Sequence, residues 1–316
     1  MKYYFAPLEG IARYVYRDAF EKTFGGIDKY FAPFISPTKD SPLTPRNRME
    51  LESENNSSLN LVPQILCNNP EVFIDAASRL IDMGYKEINL NAGCPSATVT
   101  SKKKGAGLLE DLYNLERLLD SIVNFGLASG LKISVKTRLG RFDQDEFFKV
   151  LEIYNEFPLS ELIIHPRIEK DFYKGDVRID FFKYALEESK NPIVYNGDLF
   201  KKADIRKISQ LAENSPAFND ALMLGRGLLI NPYLLFRQDG DGKIDQLFFK
   251  FHKEIYEGYK EIMSPDKNVL YHMKELWTYW ARNIEGCDKE IKSIMKSKRY
   301  EEYDIGLNNI KAKLMA

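Results

Sequence analysis

The sequence predicts an α/β protein, namely a TIM (β/α)8 barrel followed by a small C-terminal all-helical domain. Short apolar, β-rich runs alternate with amphipathic helical stretches, and eight such runs can be counted before the last quarter of the chain. The chain has 316 residues, of which 44% are hydrophobic, so it can form a barrel-sized core and an appendage.

The predicted strands are Tyr3–Leu8, Lys29–Ile35, Leu61–Ile65, Glu87–Asn91, Lys132–Thr137, Glu161–His165, Pro192–Asn196 and Ala221–Leu224. From the third strand onward they begin roughly 30 residues apart, which suits one strand and one helix per unit. One intervening helix begins at Asn69–Pro70 and ends at Gly84, and another covers Asp111 to Ala128. A doubly wound open sheet is the alternative, but LEGIAR follows the first strand where a dinucleotide-binding sheet has G-x-G-x-x-G.

The composition changes near residue 238. A Gly/Asp turn cluster at 239–243 is followed only by helical periodicity, over 247–262, 270–284 and 289–295. We therefore predict a catalytic barrel over 1–237 and a helical domain over 238–316, with the boundary in 238–245.

Bulk properties exclude several classes of protein. The net charge is −1, so a polyanionic ligand requires a local basic face. Three cysteines in a long chain argue against a disulfide framework and for a reducing compartment. No apolar run is long enough for a signal peptide or a membrane span, so we expect a cytoplasmic protein without a membrane partner.

Chemistry in a barrel lies at the carboxyl ends of the strands. Cys94, before a proline at the barrel mouth, is either a nucleophile or proton donor or a structural thiol. Lys136, inside a buried strand, either extends to the rim or meets an anionic or polar ligand. His165 is either a ligand donor or a core histidine.

Glycines follow the last two predicted strands. Gly197, Gly225 and Gly227 allow backbone amides to approach an anion, and Arg226 is a possible phosphate partner, although paired glycines also form ordinary strand-to-helix turns. The stretch Thr98–Gly107 has three consecutive lysines, which suits a mobile basic flap or a solvated loop. Cysteines and histidines lack metal-ligand spacing, so no metal site is predicted.

Several motifs taken together resemble the dihydrouridine synthases, flavin enzymes that reduce uridines in tRNA. In chain order they are APLEG at the start, PQI at 63–65, NLNAGCP at 89–95, GAGLL at 105–109, VKTRLG at 135–140, His165 with Arg167, NGD at 196–198 and GRG at 225–227. The resemblance covers the whole predicted barrel and weakens after residue 240.

The resemblance implies FMN as cofactor, NADPH or NADH as reductant, and Cys94 as the general acid. It assigns FMN contacts to Pro7, Leu8, Gln64, Lys136, His165, Asn196, Asp198, Gly225 and Arg226. Asn91, Arg138 and Tyr173 would contact the uracil or its phosphate. The protein would act as a monomer on a tRNA base drawn out of its stack, with the helical domain binding RNA.

Three alternatives remain open at this stage. They are another FMN-dependent barrel oxidoreductase acting on a small substrate such as dihydroorotate, a dihydrouridine synthase acting on rRNA, and an RNA-binding protein with an inactive barrel. Lys289, Lys292, Lys296 and Arg299 recur at helical spacing, with Ile291, Ile294 and Met295 expected to face away, and Lys102–Lys104 could extend this basic stripe.

Overall fold

A barrel of parallel strands dominates the structure, a computed structural model that describes residues 1–237 and 244–315. Part of the predicted domain boundary at 238–245 therefore lies outside the described residues. The strands are β1 Lys2–Phe5, β2 Lys29–Phe31, β3 Leu61–Val62, β4 Gln64–Ile65, β5 Glu87–Ala92, β6 Lys132–Arg138, β7 Leu162–His165, β8 Ile193–Asn196 and β9 Phe218–Leu224. Every pairing between them is parallel, in the order β3-β2-β1-β9-β8-β7-β6-β5-β4.

The two ends of this order belong to one predicted strand that Pro63 divides. β3 pairs with β2 and β4 pairs with β5, so the segment joins both edges of the sheet. The carbonyl of Pro63 accepts from the amide of Asn89 at 2.9 Å, while its ring nitrogen has no hydrogen to donate. The sheet therefore closes nearly into a ring, which confirms the predicted TIM barrel.

The helices are α1 Tyr14–Thr23, α2 Pro45–Leu51, α3 Pro70–Asp82, α4 Ala97–Thr100, α5 Leu112–Ser129, α6 Glu146–Asn155, α7 Ile179–Glu188, α8 Lys202–Ala212, α9 Arg226–Ile230, α10 Gln246–Ile262, α11 Asp266–Trp280, α12 Asp288–Lys296 and α13 Tyr300–Met315. Sequence signals explain two of them well. Asn69 caps α3 by accepting from the amide of Val72, and Asp111 caps α5 by accepting from the amide of Asn114. No helix among the described residues is both long and apolar enough to cross a membrane.

The barrel interior has an apolar middle and polar ends. The apolar cluster alternates along the strands and comprises Tyr4, Ala6, Phe31, Val62, Ile163, Val194, Ala221 and Met223. At the amino ends of the strands, Lys29 forms salt bridges with Glu87 and Glu161 at 2.8 and 2.7 Å. Ile163 lies opposite Lys136 in the register of β6 and β7, so Lys136 shares the inner face of the barrel.

The chain forms two compact units whose boundary does not follow chain order. The first comprises 1–7, 27–198 and 205–224 and contains all nine strands. The second comprises 8–26, 199–204 and the described residues from 225 onward. Helix α1, early in the chain, thus belongs with the C-terminal helices, and the predicted division at residue 237 stays a prediction.

Aromatic side chains form the core of the second unit. Phe251 of α10 packs edge-on against Tyr16 and Phe24, with ring centroids 5.4 and 5.1 Å apart. Gly258 of α10 lies where a Cβ would come within 2.8 Å of Val15, so a small residue permits α1 and α10 to approach closely. These contacts explain why the first helix of the chain joins the C-terminal helices.

The C-terminal region differs from the prediction in three details. Helix α13 was not predicted, because its apolar residues follow no strong helical period. Met295, expected to face away from the basic stripe, is 39% exposed, whereas Ile294 is buried. Helix α12 ends at Lys296, so Arg299 follows the helix and does not continue its stripe.

A buried histidine links three helices of the second unit. His252 Nε2 lies 2.7 Å from the hydroxyl of Tyr303, which also accepts from Trp277 Nε1 at 2.7 Å. The indole is a donor only, so the Tyr303 hydroxyl can give its own proton to His252. The imidazole is therefore held neutral, and burial lowers its pKa from 6.5 to about 3.

This histidine is expected to make the second unit sensitive to acid. Below pH 6.5 the unfolded chain binds a proton that folded His252 takes up only near pH 3. Stability should therefore fall as the pH drops through that window, by up to about 1.4 kcal/mol for each pH unit from this residue. Urea unfolding between pH 4 and 7 should show a shallower pH dependence in His252→Gln than in the parent. A matching change in His272→Gln, a partly exposed histidine of α11, would contradict the assignment.

Candidate active site

Three neighbouring strands bring several of the predicted site residues to one end of the barrel. In the register of β5 with β6, Asn91 lies opposite Lys136, and in that of β6 with β7, Arg138 lies opposite His165. Residues two apart on a strand share a face, so Lys136 and Arg138 both belong to the inner side. The carboxyl ends of β5, β6 and β7 thus gather an amide, two cations and an imidazole.

Asn91 sets the backbone turn that carries Cys94. Its Oδ1 accepts from the amides of Gly93 and Cys94, at 3.1 and 2.9 Å, as in an Asx-turn. The carbonyl of Cys94 accepts from the amide of Ala106 at 3.0 Å. The backbone of Cys94 is therefore held on both sides, and the residue stays partly exposed.

A chain of amide hydrogen bonds supports Asn91 from below. Asn91 Nδ2 donates to Gln64 Oε1 at 2.8 Å, and Gln64 Nε2 donates to Asn89 Oδ1 at 2.7 Å. Asn89 Nδ2 in turn donates to Ser134 Oγ at 2.9 Å. Gln64, Asn89 and Ser134 are fully buried, so leaving any of their polar groups unpaired would be unfavourable.

These amide hydrogen bonds limit what two of the predicted contact residues can offer to a ligand. Gln64 was assigned to the cofactor and Asn91 to the substrate. Each uses the oxygen and one hydrogen of its side-chain amide within the protein, so one amide hydrogen remains for a ligand. Sequence reasoning missed Asn89 and Ser134. The available signal was the spacing of Asn89 two residues before Asn91, which places both side chains on one face of the strand.

Glycines allow the lysine-rich segment to pack against the Cys94 turn. Gly105 has φ +58°, and a Cβ there would lie 2.7 Å from the carbonyl oxygen of Cys94. A Cβ at Gly107 would lie 2.6 Å from the carbonyl oxygen of Thr100. The segment predicted as a flap forms helix α4 and a 3₁₀ turn over Gly105–Glu110, and Lys103 pairs with Asp111 at 3.4 Å.

Lys136 is the least compensated charge of the barrel mouth. Among the residues that the structure describes, its Nζ makes no hydrogen bond or salt bridge. Burial and, to a smaller extent, the guanidinium of Arg138 lower its pKa from 10.5 to about 7. A partly buried ammonium that makes no hydrogen bond or salt bridge is a group that an anionic or carbonyl-bearing ligand would satisfy.

Removing this charge is expected to stabilise the ligand-free protein. The pKa of Lys136 is lower in the folded protein than in the unfolded chain, so its protonation favours unfolding. This destabilisation is largest below pH 7 and vanishes as the pH rises to 10.5. We expect Lys136→Met to raise the unfolding free energy at pH 7 by on the order of 3 kcal/mol. Urea unfolding at pH 7 and pH 9 should show the gain shrinking. Lys132→Met, at the exposed start of the same strand, should change stability by less than about 0.5 kcal/mol, and an equal gain there would contradict the interpretation.

Arg138 donates to three backbone carbonyls. Its Nε reaches Gly93 at 2.9 Å, Nη1 reaches Ile168 at 2.8 Å and Nη2 reaches Phe172 at 2.7 Å. The side chain is 1% exposed. The residue predicted as a substrate contact thus directs most of its hydrogen-bonding capacity into the protein.

Arg167, two residues after His165 in the chain, contacts the ring of His165. Arg167 Nη1 lies 3.1 Å from His165 Nε2 and donates to Asp198 Oδ1 at 3.0 Å, and Nη2 contacts the same carboxylate and the carbonyl of Gly175. Because a guanidinium cannot accept a hydrogen bond, His165 Nε2 is the acceptor and the ring proton lies on Nδ1. The predicted cofactor residue Asp198 is therefore an ion-pair partner of Arg167.

The remaining predicted contacts are distributed over both units. Tyr173 is 51% exposed, with its ring centroid 6.2 Å from that of His165. Asn196 Nδ2 donates to the carbonyl of Met223 at 2.8 Å. Pro7 belongs to the first unit, whereas Leu8, Gly225 and Arg226 belong to the second. Within the second unit, the Arg226 guanidinium lies 5.4 Å from the ring centroid of Phe200.

The first unit therefore presents a positioned thiol, an unsatisfied ammonium and a hydrogen-bond donor imidazole at one barrel mouth. An ordinary cysteine thiol, with a pKa of about 8.5, keeps its proton near neutral pH and can deliver it to a carbanion-like carbon. A buried ammonium can stabilise negative charge that develops on a bound ring. The arrangement suits proton delivery next to a polarised, electron-rich ligand.

The family model and the named relatives agree on one family. The family model for dihydrouridine synthase (Dus) matches residues 4–299. A probable tRNA-dihydrouridine synthase of Staphylococcus epidermidis is 28% identical over 326 residues, covering 98% of this chain and 94% of that protein. A tRNA-dihydrouridine synthase B of Pasteurella multocida is 25% identical over 291 residues, covering 90% and 80%. Among solved structures, an oxidised active mutant of (S)-mandelate dehydrogenase has a TM-score of 0.47 at 14% identity, covering 83% of this chain and 76% of that one.

Proposed function

We propose that this chain, which belongs to the dihydrouridine synthase family, reduces the C5–C6 bond of specific uridines in tRNA to give 5,6-dihydrouridine. The observation that carries the proposal is the hydrogen-bonded turn that holds Cys94. Asn91 and the amide of Ala106 hold its backbone, and Cys94 remains partly exposed after the strand whose Asn91 lies opposite Lys136. The names of the relatives support tRNA as the substrate class.

The residues present fit FMN as the cofactor. The fit rests on the unpartnered ammonium of Lys136, which suits the electron-rich edge of a flavin ring, and on the Nδ1 proton of His165. The residues of the first unit proposed to hold FMN are Pro7, Gln64, Lys136, His165, Asn196 and Asp198. The FMN contacts of Leu8, Gly225 and Arg226 stay predictions from the sequence. The chemistry that FMN would supply when bound is hydride transfer to uracil C6, with NADPH or NADH as the reductant.

The chain's own residues would complete the reaction. Cys94 would donate its proton at uracil C5, where negative charge develops. Asn91, through its remaining amide hydrogen, and the exposed ring of Tyr173 would contact the uracil, which has to leave the RNA stack. Lys136 would stabilise the negative charge of the reduced ring.

The second unit is proposed to bind RNA. Lys289, Lys292 and Lys296 are exposed along α12, which suits phosphate contacts along one helix face. We further propose that the protein works in the cytoplasm as a monomer.

Mapping of dihydrouridine in RNA from cells that lack the gene tests the function directly. We expect one or more tRNA positions to lose the modification and to regain it when the gene is restored. Loss confined to rRNA would assign the other RNA substrate. If no position is lost and the purified protein oxidises dihydroorotate, the small-substrate alternative is correct. A colourless protein that cannot be reconstituted with FMN would contradict every flavoenzyme assignment.

A further inference from the structure

The guanidinium of Arg138 joins two loops at the barrel mouth. One bond goes to Gly93, directly before Cys94, and the other two go to Ile168 and Phe172, in the loop between β7 and α7. Among the described residues no carboxylate forms a salt bridge with Arg138, so the three carbonyls receive its hydrogen bonds, while the carboxylate of Asp171 interacts with its charge without a hydrogen bond. Its burial leaves little of the side chain open to a ligand.

We propose that Arg138 is a positioning residue that fixes the loop of Cys94 to the loop of Tyr173. The consequence for catalysis rests on the proposed function, because it assumes that Cys94 and Tyr173 meet the uracil. The mechanical link does not depend on it. Arginine suits this role because its planar fork has donors in several fixed directions, whereas lysine offers a single charged nitrogen.

The loop of Tyr173 needs such a support. Phe172 has φ +50°, a left-handed backbone conformation that is unfavourable for an aromatic residue, and Arg138 Nη2 bonds to its carbonyl. The Arg138 guanidinium also lies 5.4 Å from the ring centroid of Tyr173. Loss of the guanidinium would let Phe172 relax and would shift the neighbouring tyrosine ring.

The Cys94 loop has a second anchor of a different kind. The amides of Gly93 and Cys94 are held by Asn91, whereas the carbonyl of Gly93 is held by Arg138. Without Arg138 the turn keeps its amide anchor and loses the bond to the other loop. The two loops should then open independently, which a measurement of local opening can detect.

Hydrogen exchange on the ligand-free protein tests the link without requiring activity. In Arg138→Met we expect the amides of Gly93, Cys94 and Ser96 and those of 168–173 all to exchange about tenfold faster. Arg178→Met is the matched control, because Arg178 forms a salt bridge with Asp171 in the second loop. It should speed exchange in 168–173 and leave 93–96 unchanged. Arg138→Lys, which keeps the charge and much of the volume, should also release both loops and serves if the methionine variant does not fold.

Kinetics separate positioning from direct binding. If Arg138 positions the two loops, its variants should lower kcat for uridine reduction with little change in KM for tRNA. Parent-like exchange in both loops of Arg138→Lys or Arg138→Met, with a raised KM for tRNA, would overturn the proposal in favour of a substrate contact. If the protein proves inactive on RNA, the exchange result still decides whether the link exists.

Discussion

Cys94→Ala should slow the reduction of uridine by about 10²–10⁴-fold while the reduction of bound flavin by NADPH proceeds at the parent rate. The reason is that only the second half-reaction needs a proton at uracil C5. The substitution should leave the loop intact, because Asn91 holds the amide of Cys94 and Ala106 bonds to its carbonyl. Stopped-flow absorbance of the flavin, with NADPH and then with tRNA, measures the two steps separately.

The control for this variant is Cys287→Ala. Cys287 is a buried free cysteine of the second unit, so its loss tests whether a missing thiol in general slows the enzyme. We expect both half-reactions of Cys287→Ala to match the parent. An equal slowing of both half-reactions in Cys94→Ala would mean that the thiol supports flavin binding or the fold, and would refute the general-acid assignment.

Much of the barrel could be predicted from the sequence because its signals are local. Apolar runs, capping residues such as Asn69 and the interval between strands all lie within short windows. The break at Pro63 was predictable in principle, since proline cannot donate a ladder hydrogen bond, although its role in closing the barrel depends on pairing with both neighbours.

The hydrogen bonds that hold the site residues in place could not be predicted in the same way. Arg138 and Gly93 are 45 residues apart, as are Asn89 and Ser134, and no local pattern reports such pairs. A polar residue at a strand end therefore predicted a ligand contact, whereas Gln64 and Arg138 spend most of their capacity on the protein. The position of a residue along a strand indicates where its side chain lies. Which ligand it can bind depends on the hydrogen-bond donors that it does not use within the protein.

Charged residues at the other end of the barrel show the same limit. Lys29, Glu87 and Glu161 each stand at the first position of a predicted strand, a coincidence of three separate segments. The structure joins them at the amino ends of the strands. Tyr4 and Asn219 also donate to Glu161 Oε1, at 2.8 and 3.0 Å, so one buried carboxylate oxygen receives three donors. In a TIM barrel this end is expected to serve stability rather than catalysis.

Lys29→Met is expected to destabilise the protein by about 3–5 kcal/mol, because it leaves two carboxylates without their counter-ion in a buried place. The side chain of Lys29 is 18% exposed and that of Glu161 only 6%. Burial by itself lowers the pKa of Lys29, but the two carboxylates raise it overall, so the ammonium stays charged at neutral pH. Oε1 of Glu87 and Oε2 of Glu161 already lack hydrogen-bond partners among the described residues, so the loss of the ammonium adds to an existing deficit of donors.

Urea unfolding at pH 7 should show this loss, and two comparisons define its cause. Lys183→Met removes a salt bridge of the same length, 2.8 Å, from an exposed pair with Asp180, and should change stability by no more than about 1 kcal/mol. Adding Glu87→Gln and Glu161→Gln to Lys29→Met should recover much of the stability, since the uncompensated charges disappear with the lysine. A loss that persists in the triple variant would show that Lys29 stabilises the barrel through the packing of its methylenes or through its ammonium, which lies 5.3 Å from the ring centroid of Tyr4, rather than through the two carboxylates.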